Sequence, residues 1–392
     1  MKILLTSDWY EPVVNGVVTS VRNLKRELEK RGHEVRVLTL SENRDSRKEG
    51  DVYYIQSHSA GLVYPNARVT LPVAHPYVQE LMDWKPDIVH SQCEFTTFWF
   101  ARRIAFRTGA PLIHTYHTIY EDYTHYFSPN KAMGAVAARL LSRKVLDQTD
   151  AVIAPTKKVK AILERYMVEP AIFTIPTGID LAPFADGVRE KQLRTPVADE
   201  APVLITVGRL AKEKNIEEIL ELLADARGQQ YRYLLVGDGP YREVLEAKVQ
   251  ALGLTDRVTF AGMVPPEQVA SYYKKGDIFV CASGSETQGL TYIEALASGL
   301  PLVCHKDACL EDVLTDGYNG WQYENAQGFF DGLENLWKSG DSYREASAHA
   351  AEQAHIFSAA HFAEQVEHVY RLALWSEKEA EQWNGNSCAA IC

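Results

Sequence analysis

The 392-residue sequence predicts an α/β protein with two Rossmann-like, doubly wound domains that face each other across a cleft. Short apolar segments rich in Val, Ile and Leu alternate with helical patterns, and this alternation restarts after a polar stretch near the middle of the chain. Alternating strands and helices produce βαβ units and parallel sheets. Because ligands of such sheets bind beyond the carboxyl ends of the strands, the cleft is the expected site.

The first domain is predicted over residues 1–180. Its strands are expected at 2–7, 34–40, 52–57, 86–91, 111–116, 150–156 and 171–176. Helical patterns separate most of them, at 17–31, 95–108, 131–149 and 157–166. A polar stretch with Pro and Gly at 176–202 is typical of a linker between domains.

The second domain is predicted over residues 181–365. Its strands are expected at 201–210, 231–240, 257–262, 277–285 and 300–307, with helices at 215–227, 240–252, 266–274 and 290–298. From about residue 326 the pattern turns helical, and residues 366–392 are expected to form a helix that crosses back to the first domain.

The charge is unevenly distributed along the chain. The net charge is −11, yet residues 1–185 hold 23 Lys and Arg against 20 Asp and Glu, whereas the remainder holds 18 against 32. Such a chain is a poor nucleic-acid binder, although its first half suits an anionic membrane surface. No run reaches the roughly 18 apolar residues of a spanning helix, so a cytoplasmic location is expected, peripheral on the inner membrane face if the substrate is a lipid.

The cysteines and glycines argue against a bound metal or dinucleotide. The six Cys show no CxxC spacing and no His partner at zinc spacing, so no metal is expected. The stretch VGDGPYRE has a GxG without a third Gly, which is too weak to predict a nicotinamide cofactor. We therefore expect no cofactor.

The stretch 283–301, SGSETQGLTYIEALASGLP, carries two acids, Glu286 and Glu294, around a predicted helix start. A strand, a Gly-containing loop and a helix N-terminus form an anion site, because unpaired N–H groups and the helix dipole point at the ligand. The N–H groups of Gly289, Leu290 and Thr291 are the candidates.

Acids beside a phosphate repel it, so Glu286 and Glu294 are expected to bind neutral sugar hydroxyls on either side of the phosphate. A nucleotide sugar has this layout, with a hexose, a diphosphate and a ribose in order. Arg209 and Lys214, in VGRLAKEKN after the second domain's first strand, supply fixed cations for the diphosphate.

These motifs resemble those of the retaining glycosyltransferases of family 4, which have the GT-B fold. GRLAKEKN (208–215) and SETQGLTYIEALASGLP (285–301) carry the resemblance in the second domain, and residues 8–39 resemble the N-terminal loop and first helix of that family. The resemblance covers nearly the whole chain.

The resemblance implies a role for each matched residue. It assigns Arg209 and Lys214 to the diphosphate, Glu286 to the hexose and Glu294 to the ribose. In the first domain, the resemblance implies that Gly16 lets the N-terminal loop approach the donor. It also implies that His117, in TYHTIYEDY, is the family's histidine near the transferred sugar.

The implied reaction transfers a hexose from a nucleoside diphosphate to a hydroxyl with retention of the anomeric configuration and without a protein nucleophile. Stabilisation of the departing diphosphate is its physical core. Because the sequence contains no Asp-x-Asp, protein cations are expected to supply this stabilisation.

Two features favour a lipid acceptor. Tyr120, Tyr123 and Tyr126 with Phe127 have the spacing of a helical aromatic stripe. The following apolar segment 130–148 carries four Lys and Arg against one acid, Asp147, which suits a membrane surface, although Lys144 falls in the middle of its apolar face. The alternative is a helix that packs on the first domain's sheet with its Arg tips in water. HTIYEDYTHYF (117–127) and KDACLEDVLTDGYNGW (306–321) resemble the bacterial diacylglycerol glucosyltransferases, which implies UDP-glucose as donor and membrane diacylglycerol as acceptor.

Three alternatives remain open. The same donor site would serve a family-4 transferase that acts on a soluble or polyprenyl-linked glycan. An epimerase of nucleotide sugars would need its own acid and base, and a silent sensor would bind the UDP-sugar without consuming it.

Overall fold

The computed structural model describes residues 1–43, 45–60, 67–71, 73–121, 130–185 and 202–388, with the backbone alone for Lys131 and residues 376–388. The chain forms two compact units. Unit 1 comprises Met1–Gly178 and Ala359–Cys392, and unit 2 comprises Ile179–Ser358. The chain therefore leaves unit 1 once and returns to it with its C-terminal segment.

Unit 1 is built on parallel strands with helices between them. Its strands are β1 (Lys2–Ser7), β2 (Glu34–Leu40), β3 (Arg47–Glu49), β4 (Val52–Ile55), β5 (His58–Ser59), β6 (Arg68–Val69), β7 (Ile88–Ser91), β8 (Leu112–Thr115), β9 (Ala151–Ala154) and β10 (Ala171–Thr174). Its first helices are α1 (Gly16–Lys30), α2 (Pro76–Trp84), α3 (Thr96–Thr108), α4 (Lys131–Leu146) and α5 (Lys157–Arg165).

The main sheet of unit 1 has the strand order β10-β9-β8-β7-β1-β2-β4-β3. Its neighbours are parallel except for the β3–β4 pair. Thr6 of β1 lies opposite Ser91 of β7, and the strand order reverses between these two strands. This reversal is the topological switch point, where a doubly wound sheet opens a crevice beyond the strand ends.

Unit 2 repeats the architecture. Its strands are β11 (Val203–Val207), β12 (Arg232–Val236), β13 (Val258–Gly262), β14 (Ile278–Cys281), β15 (Leu302–His305) and β16 (Gly320–Tyr323). Its helices are α6 (Ile216–Ala224), α7 (Arg242–Ala251), α8 (Pro266–Tyr273), α9 (Leu290–Ala297), α10 (Ala326–Trp337) and α11 (Gly340–Ala354).

The sheet of unit 2 has the order β13-β12-β11-β14-β15-β16, with parallel neighbours throughout the described residues. Its switch point lies between β11 and β14. Apolar clusters that include helix residues cover the sheet: Leu220 and Leu245 belong to one cluster, and Tyr292 and Leu296 belong to another. The prediction of an α/β protein with parallel sheets in two domains is confirmed.

The last helix, α12 (Ala359–Cys388), packs on unit 1. Val366 and Tyr370 join the core cluster that also holds Leu24 of α1. The hydroxyl of Tyr370 lies 2.6 Å from Nδ1 of His90 in β7, and both side chains are fully buried. The other ring nitrogen of His90 lies 2.7 Å from Oγ1 of Thr115 in β8, so the buried imidazole has a partner at each nitrogen.

A buried carboxylate with more exposed cationic partners fastens the same helix to the end of α1. Glu367, whose side chain is 4% exposed, pairs with Arg31, His33 and Arg371. Hydrogen bonds from Arg371 and Arg31 lower the pKa of this carboxyl to about 2, against the effect of burial, which raises it. The hydrogen bond between His90 and Tyr370 and the contacts of Glu367 with Arg31 and His33 therefore hold α12 on unit 1.

We expect Tyr370→Phe to destabilise the protein by about 1–3 kcal/mol, because the change leaves a buried ring nitrogen of His90 without a partner. The free energy of unfolding from a urea titration measures the effect. Tyr318→Phe is the control, since its hydroxyl donates to Glu352 at the surface, and a loss below about 0.5 kcal/mol is expected there. Equal losses in the two variants would contradict the anchoring role of Tyr370.

Candidate functional site

The loop after β11 is shaped by close packing of two backbones. Gly208 has φ 144°, and the chain continues to a 3₁₀ turn at Lys212–Lys214 before α6. A Cβ on Gly237, after β12, would lie 1.9 Å from the carbonyl oxygen of Gly208, and a Cβ on Gly239 would lie 2.3 Å from that of Leu210. The glycines of VGDGPYRE therefore let this loop lie against the loop after β11.

The loop after β14 leads into the start of α9. Gly289 has φ 73° and precedes Leu290, the first residue of the helix, without a side-chain cap. A Cβ on Gly289 would lie 2.4 Å from the ring of Tyr292, so a larger residue does not fit. Because the first N–H groups of a helix lack a partner within it, this end of α9 attracts anions.

A small cavity of about 40 Å³ lies at the switch point of unit 2, between the ends of β11 and β14. Arg209, Lys214, Glu286 and Thr291 contribute to its lining. The lining residues near the strand ends are Thr206, Val207, Gly208, Cys281 and Ala282. The structure thus brings four of the predicted site residues to the expected edge of the sheet.

Lys214 and Glu286 form an ion pair in this cavity, between Nζ and Oε1. Their side chains are 27% and 14% exposed. The hydroxyls of Ser283 and Ser285 both lie 3.4 Å from the carbonyl oxygen of Glu213, which ties the loop after β14 to the loop after β11. The cation expected at the diphosphate and the acid expected at the hexose are therefore direct partners in the structure.

Glu294 lies one turn into α9 and does not line this cavity. Its Oε2 accepts a hydrogen bond of 2.8 Å from the hydroxyl of Tyr273, and the same hydroxyl lies 3.2 Å from the carbonyl oxygen of Thr291. Burial raises the pKa of Glu294 to about 7, although the Tyr273 hydrogen bond acts in the opposite direction. Sequence reasoning missed Tyr273, because only the packing of α8 on α9 brings it to the carboxylate.

His117 and Gly16 belong to unit 1. His117 follows β8, and its Nε2 lies 2.8 Å from Oε1 of Gln92, which is 1% exposed and follows β7. Burial lowers the pKa of His117 to about 3, so the imidazole is neutral. Gly16 is the first residue of α1, where the side chain of Asn15 accepts a hydrogen bond from the Val18 N–H.

Unit 1 also holds a larger cavity, of about 220 Å³, at the carboxyl ends of β1 and β2. Asp8, Arg47, Tyr54 and Arg68 contribute to its lining, and the Arg47 guanidinium lies 3.8 Å from the centre of the Tyr54 ring. Asp8 accepts a 2.8 Å hydrogen bond from the Thr97 N–H, and burial raises its pKa to about 6. Asp8 begins the stretch 8–39 that resembles the family's N-terminal loop, whereas no sequence motif singled out Arg47, Tyr54 or Arg68.

Two observations concern the membrane hypothesis. Among the described residues, no helix has both the length and the apolar character needed to cross a bilayer. Tyr120 lies in the described part of the chain, whereas Tyr123, Tyr126 and Phe127 of the predicted aromatic stripe lie outside it.

Family models match both halves of the chain. The model described as Glycosyltransferase Family 4 matches residues 14–183, and the one described as Glycosyl transferases group 1 matches residues 188–353.

Two relatives that share one name, from different organisms, are similar in sequence over most of this chain. An alpha-monoglucosyldiacylglycerol synthase of Streptococcus pneumoniae is 36% identical over 82% of this chain and 75% of the relative. The protein of that name from Acholeplasma laidlawii is 34% identical over 82% of this chain and 84% of the relative.

Solved structures share the fold over nearly the full chain. A sucrose-phosphate synthase from Thermosynechococcus elongatus matches with a TM-score of 0.74 at 22% identity, covering 96% of this chain and 99% of the other. Anabaena HepE in complex with UDP-glucose matches with a TM-score of 0.69 at 18% identity, covering 94% and 99%. With relatives at 34–36% identity and these folds, the chain belongs to glycosyltransferase family 4 and has the GT-B fold.

Proposed function

We propose that the protein transfers glucose from UDP-glucose to the free hydroxyl of membrane diacylglycerol, with retention of the α configuration. The observation that carries the proposal is the cavity of unit 2, where Arg209, Lys214, Glu286 and Thr291 meet at the switch point. The names of the two relatives support glucose as the sugar and diacylglycerol as the acceptor. Because the glucose of UDP-glucose is α-linked, an α product requires retention.

In the proposed donor site, different groups around the start of α9 bind the diphosphate, the hexose and the ribose of the nucleotide sugar. Arg209, Lys214 and the N–H groups at Gly289, Leu290 and Thr291 bind the diphosphate, whose charge grows as the glycosidic bond breaks. Glu286 accepts hydrogen bonds from the hexose, and Glu294 accepts them from the ribose. We propose that these protein groups, without a metal ion or cofactor, stabilise the leaving group.

Unit 1 is proposed to handle the acceptor and the transferred sugar. A neutral His117 engages Gln92 through Nε2, which leaves Nδ1 for a sugar hydroxyl. Gly16 keeps the start of α1 free of a side chain where the family loop approaches the donor. The enzyme would work as a peripheral protein on the cytoplasmic face of the membrane, where UDP-glucose and diacylglycerol meet.

The decisive experiment measures UDP release from labelled UDP-glucose with and without anionic vesicles that contain diacylglycerol, followed by analysis of the lipid extract. We expect release that depends on diacylglycerol, with the label in a lipid whose sugar is α-linked by NMR. Transfer to a soluble sugar, with none to diacylglycerol, would refute the lipid acceptor. Tight binding of UDP-glucose without any turnover would refute the transferase and favour a sensor.

We expect Glu286→Ala to lower kcat by about 10²–10³-fold while affinity for UDP stays the same or rises. The affinity is preserved because UDP lacks the hexose and because Lys214 loses the partner that competes with the phosphate. Glu221→Ala, at an exposed acid of α6, is the matched control and should be neutral. Unchanged turnover in Glu286→Ala would remove this residue from the site.

The pKa of Glu294, about 7, predicts a pH-dependent donor affinity. Below that pH the carboxyl of Glu294 is protonated in the free protein. If Glu294 binds the ribose as a carboxylate, binding must release this proton. The affinity for UDP-glucose therefore falls by up to about tenfold for each unit by which the pH decreases below about 7. UDP-glucose is the suitable probe, because its diphosphate does not titrate near neutrality. Calorimetric titrations from about pH 6 to about pH 9 measure the dependence.

Two variants test the assignment of this pH dependence. Glu294→Gln should abolish it, and Tyr273→Phe should move its midpoint to higher pH, since the lost hydrogen bond had lowered the pKa of Glu294. A dependence that persists in Glu294→Gln would show that another group titrates.

A further inference from the structure

The helix α4 packs on unit 1 through small residues. Gly134, Ala138 and Ser142 are buried along one side, together with Val145 near the C-terminal end. The hydroxyl of Ser142 lies 3.0 Å from that of Tyr116, which is fully buried. This side accounts for the packing of the helix on its own unit.

The opposite side of α4 is apolar and exposed. Met133, Val136 and Leu140 are 70%, 48% and 57% exposed, and their spacing of three and four residues aligns them in one stripe. Leu141, 44% exposed, flanks this stripe. The helix therefore packs on its own unit, as the alternative prediction states, but this packing does not account for the exposed stripe. Exposed apolar patches mark interaction sites.

The same helix is cationic. Its sequence, KAMGAVAARLLSRKVL, contains four Lys and Arg and no acid, within a chain of net charge −11. Arg143 pairs with Asp147, whereas Arg139 is exposed at one edge of the stripe and Lys144 is exposed at its C-terminal end, one turn after Leu140 and Leu141. An exposed apolar face with one cation at its edge and one at its C-terminal end suits the boundary between acyl chains and anionic headgroups, where a long Lys side chain reaches the headgroups.

We propose that the outer face of α4, formed by Met133, Val136, Arg139, Leu140 and Lys144, docks the enzyme on an anionic bilayer. The proposal deepens the proposed function, on which it rests, by naming the surface that brings unit 1 to its lipid acceptor. A second copy of the chain is the poorer occupant. The face is small against the roughly 800 Å² per partner of a specific dimer, and two acid-free cationic helices would repel each other.

The test measures flotation of the full-length protein with vesicles of phosphatidylcholine, with or without phosphatidylglycerol, in the absence of UDP-glucose. Wild type should float with anionic vesicles and release at high salt. Arg139→Gln/Lys144→Gln should weaken binding about 30-fold, or about 2 kcal/mol at about 1 kcal/mol per charge. Met133→Gln/Leu140→Gln should weaken it at least about tenfold, since both side chains lose their apolar contact with lipid.

A matched control uses exposed apolar residues of unit 2. Met263 and Val244 are 75% and 44% exposed, and Met263→Gln/Val244→Gln should float like wild type. Wild-type flotation in the Met133→Gln/Leu140→Gln variant would overturn the proposal, as would equal binding of wild type to neutral vesicles. A dimer that this variant converts to a monomer, with vesicle binding unchanged, would assign the face to self-association instead.

Transfer to short-chain diacylglycerol in detergent micelles separates this proposal from the proposed function. We expect the α4 variants to keep the wild-type rate in micelles and to lose rate on vesicles. If wild type glucosylates diacylglycerol on vesicles and the α4 variants do so equally well, the docking face is refuted and the function stands. If no diacylglycerol is glucosylated in either system while flotation depends on α4, the acceptor is wrong and the docking face stands.

Discussion

The parallel pairing of the two central strands in each sheet determines where each unit has a crevice for a candidate binding site. In unit 2, β11 and β14 run side by side, and in unit 1, β1 and β7 do the same. The strand order reverses at each pair, so the loops that follow diverge and leave a crevice. Arg209 and Glu286 follow one pair, and Asp8 and Gln92 follow the other, so polar groups collect at both crevices.

The ion pair of Lys214 with Glu286 explains how an acid is tolerated beside an anion site. A mostly buried carboxylate next to a phosphate would oppose binding, but here its charge is balanced by the ammonium of Lys214. In the proposed donor complex, the Lys214–Glu286 ion pair is replaced by two other contacts. Lys214 pairs with the phosphate, and Glu286 accepts hydrogen bonds from the sugar hydroxyls. Both groups stay paired before and after, which avoids the cost of isolating a charge.

Much of the fold follows from local apolar patterns, whereas the site depends on tertiary contacts. Strands such as β9 and β14 are buried along their whole length, and their continuous apolar runs predicted them. The helix α2 was missed because its nine residues begin with Pro and carry a short pattern, and β16 was missed because it begins with Gly320. Motif spacing selected Glu286 and Glu294, but Tyr273, Gln92 and the Lys214–Glu286 pairing depend on chain segments that meet only after folding.

The distribution of charge between the units gives a physical reason for one orientation on an anionic surface. Unit 1 holds 25 Lys and Arg against 24 Asp and Glu, and unit 2 holds 16 against 28. An anionic membrane repels unit 2 strongly, whereas unit 1 is nearly neutral overall and concentrates cations on α4. The acidity of unit 2 does not oppose the proposed donor binding in the same way, because Arg209 and Lys214 line the cavity itself, while the acids at the surface of the unit are screened by salt. Long-range repulsion and short-range attraction can therefore coexist in unit 2, and unit 1, which carries α4, is the unit that an anionic surface repels less.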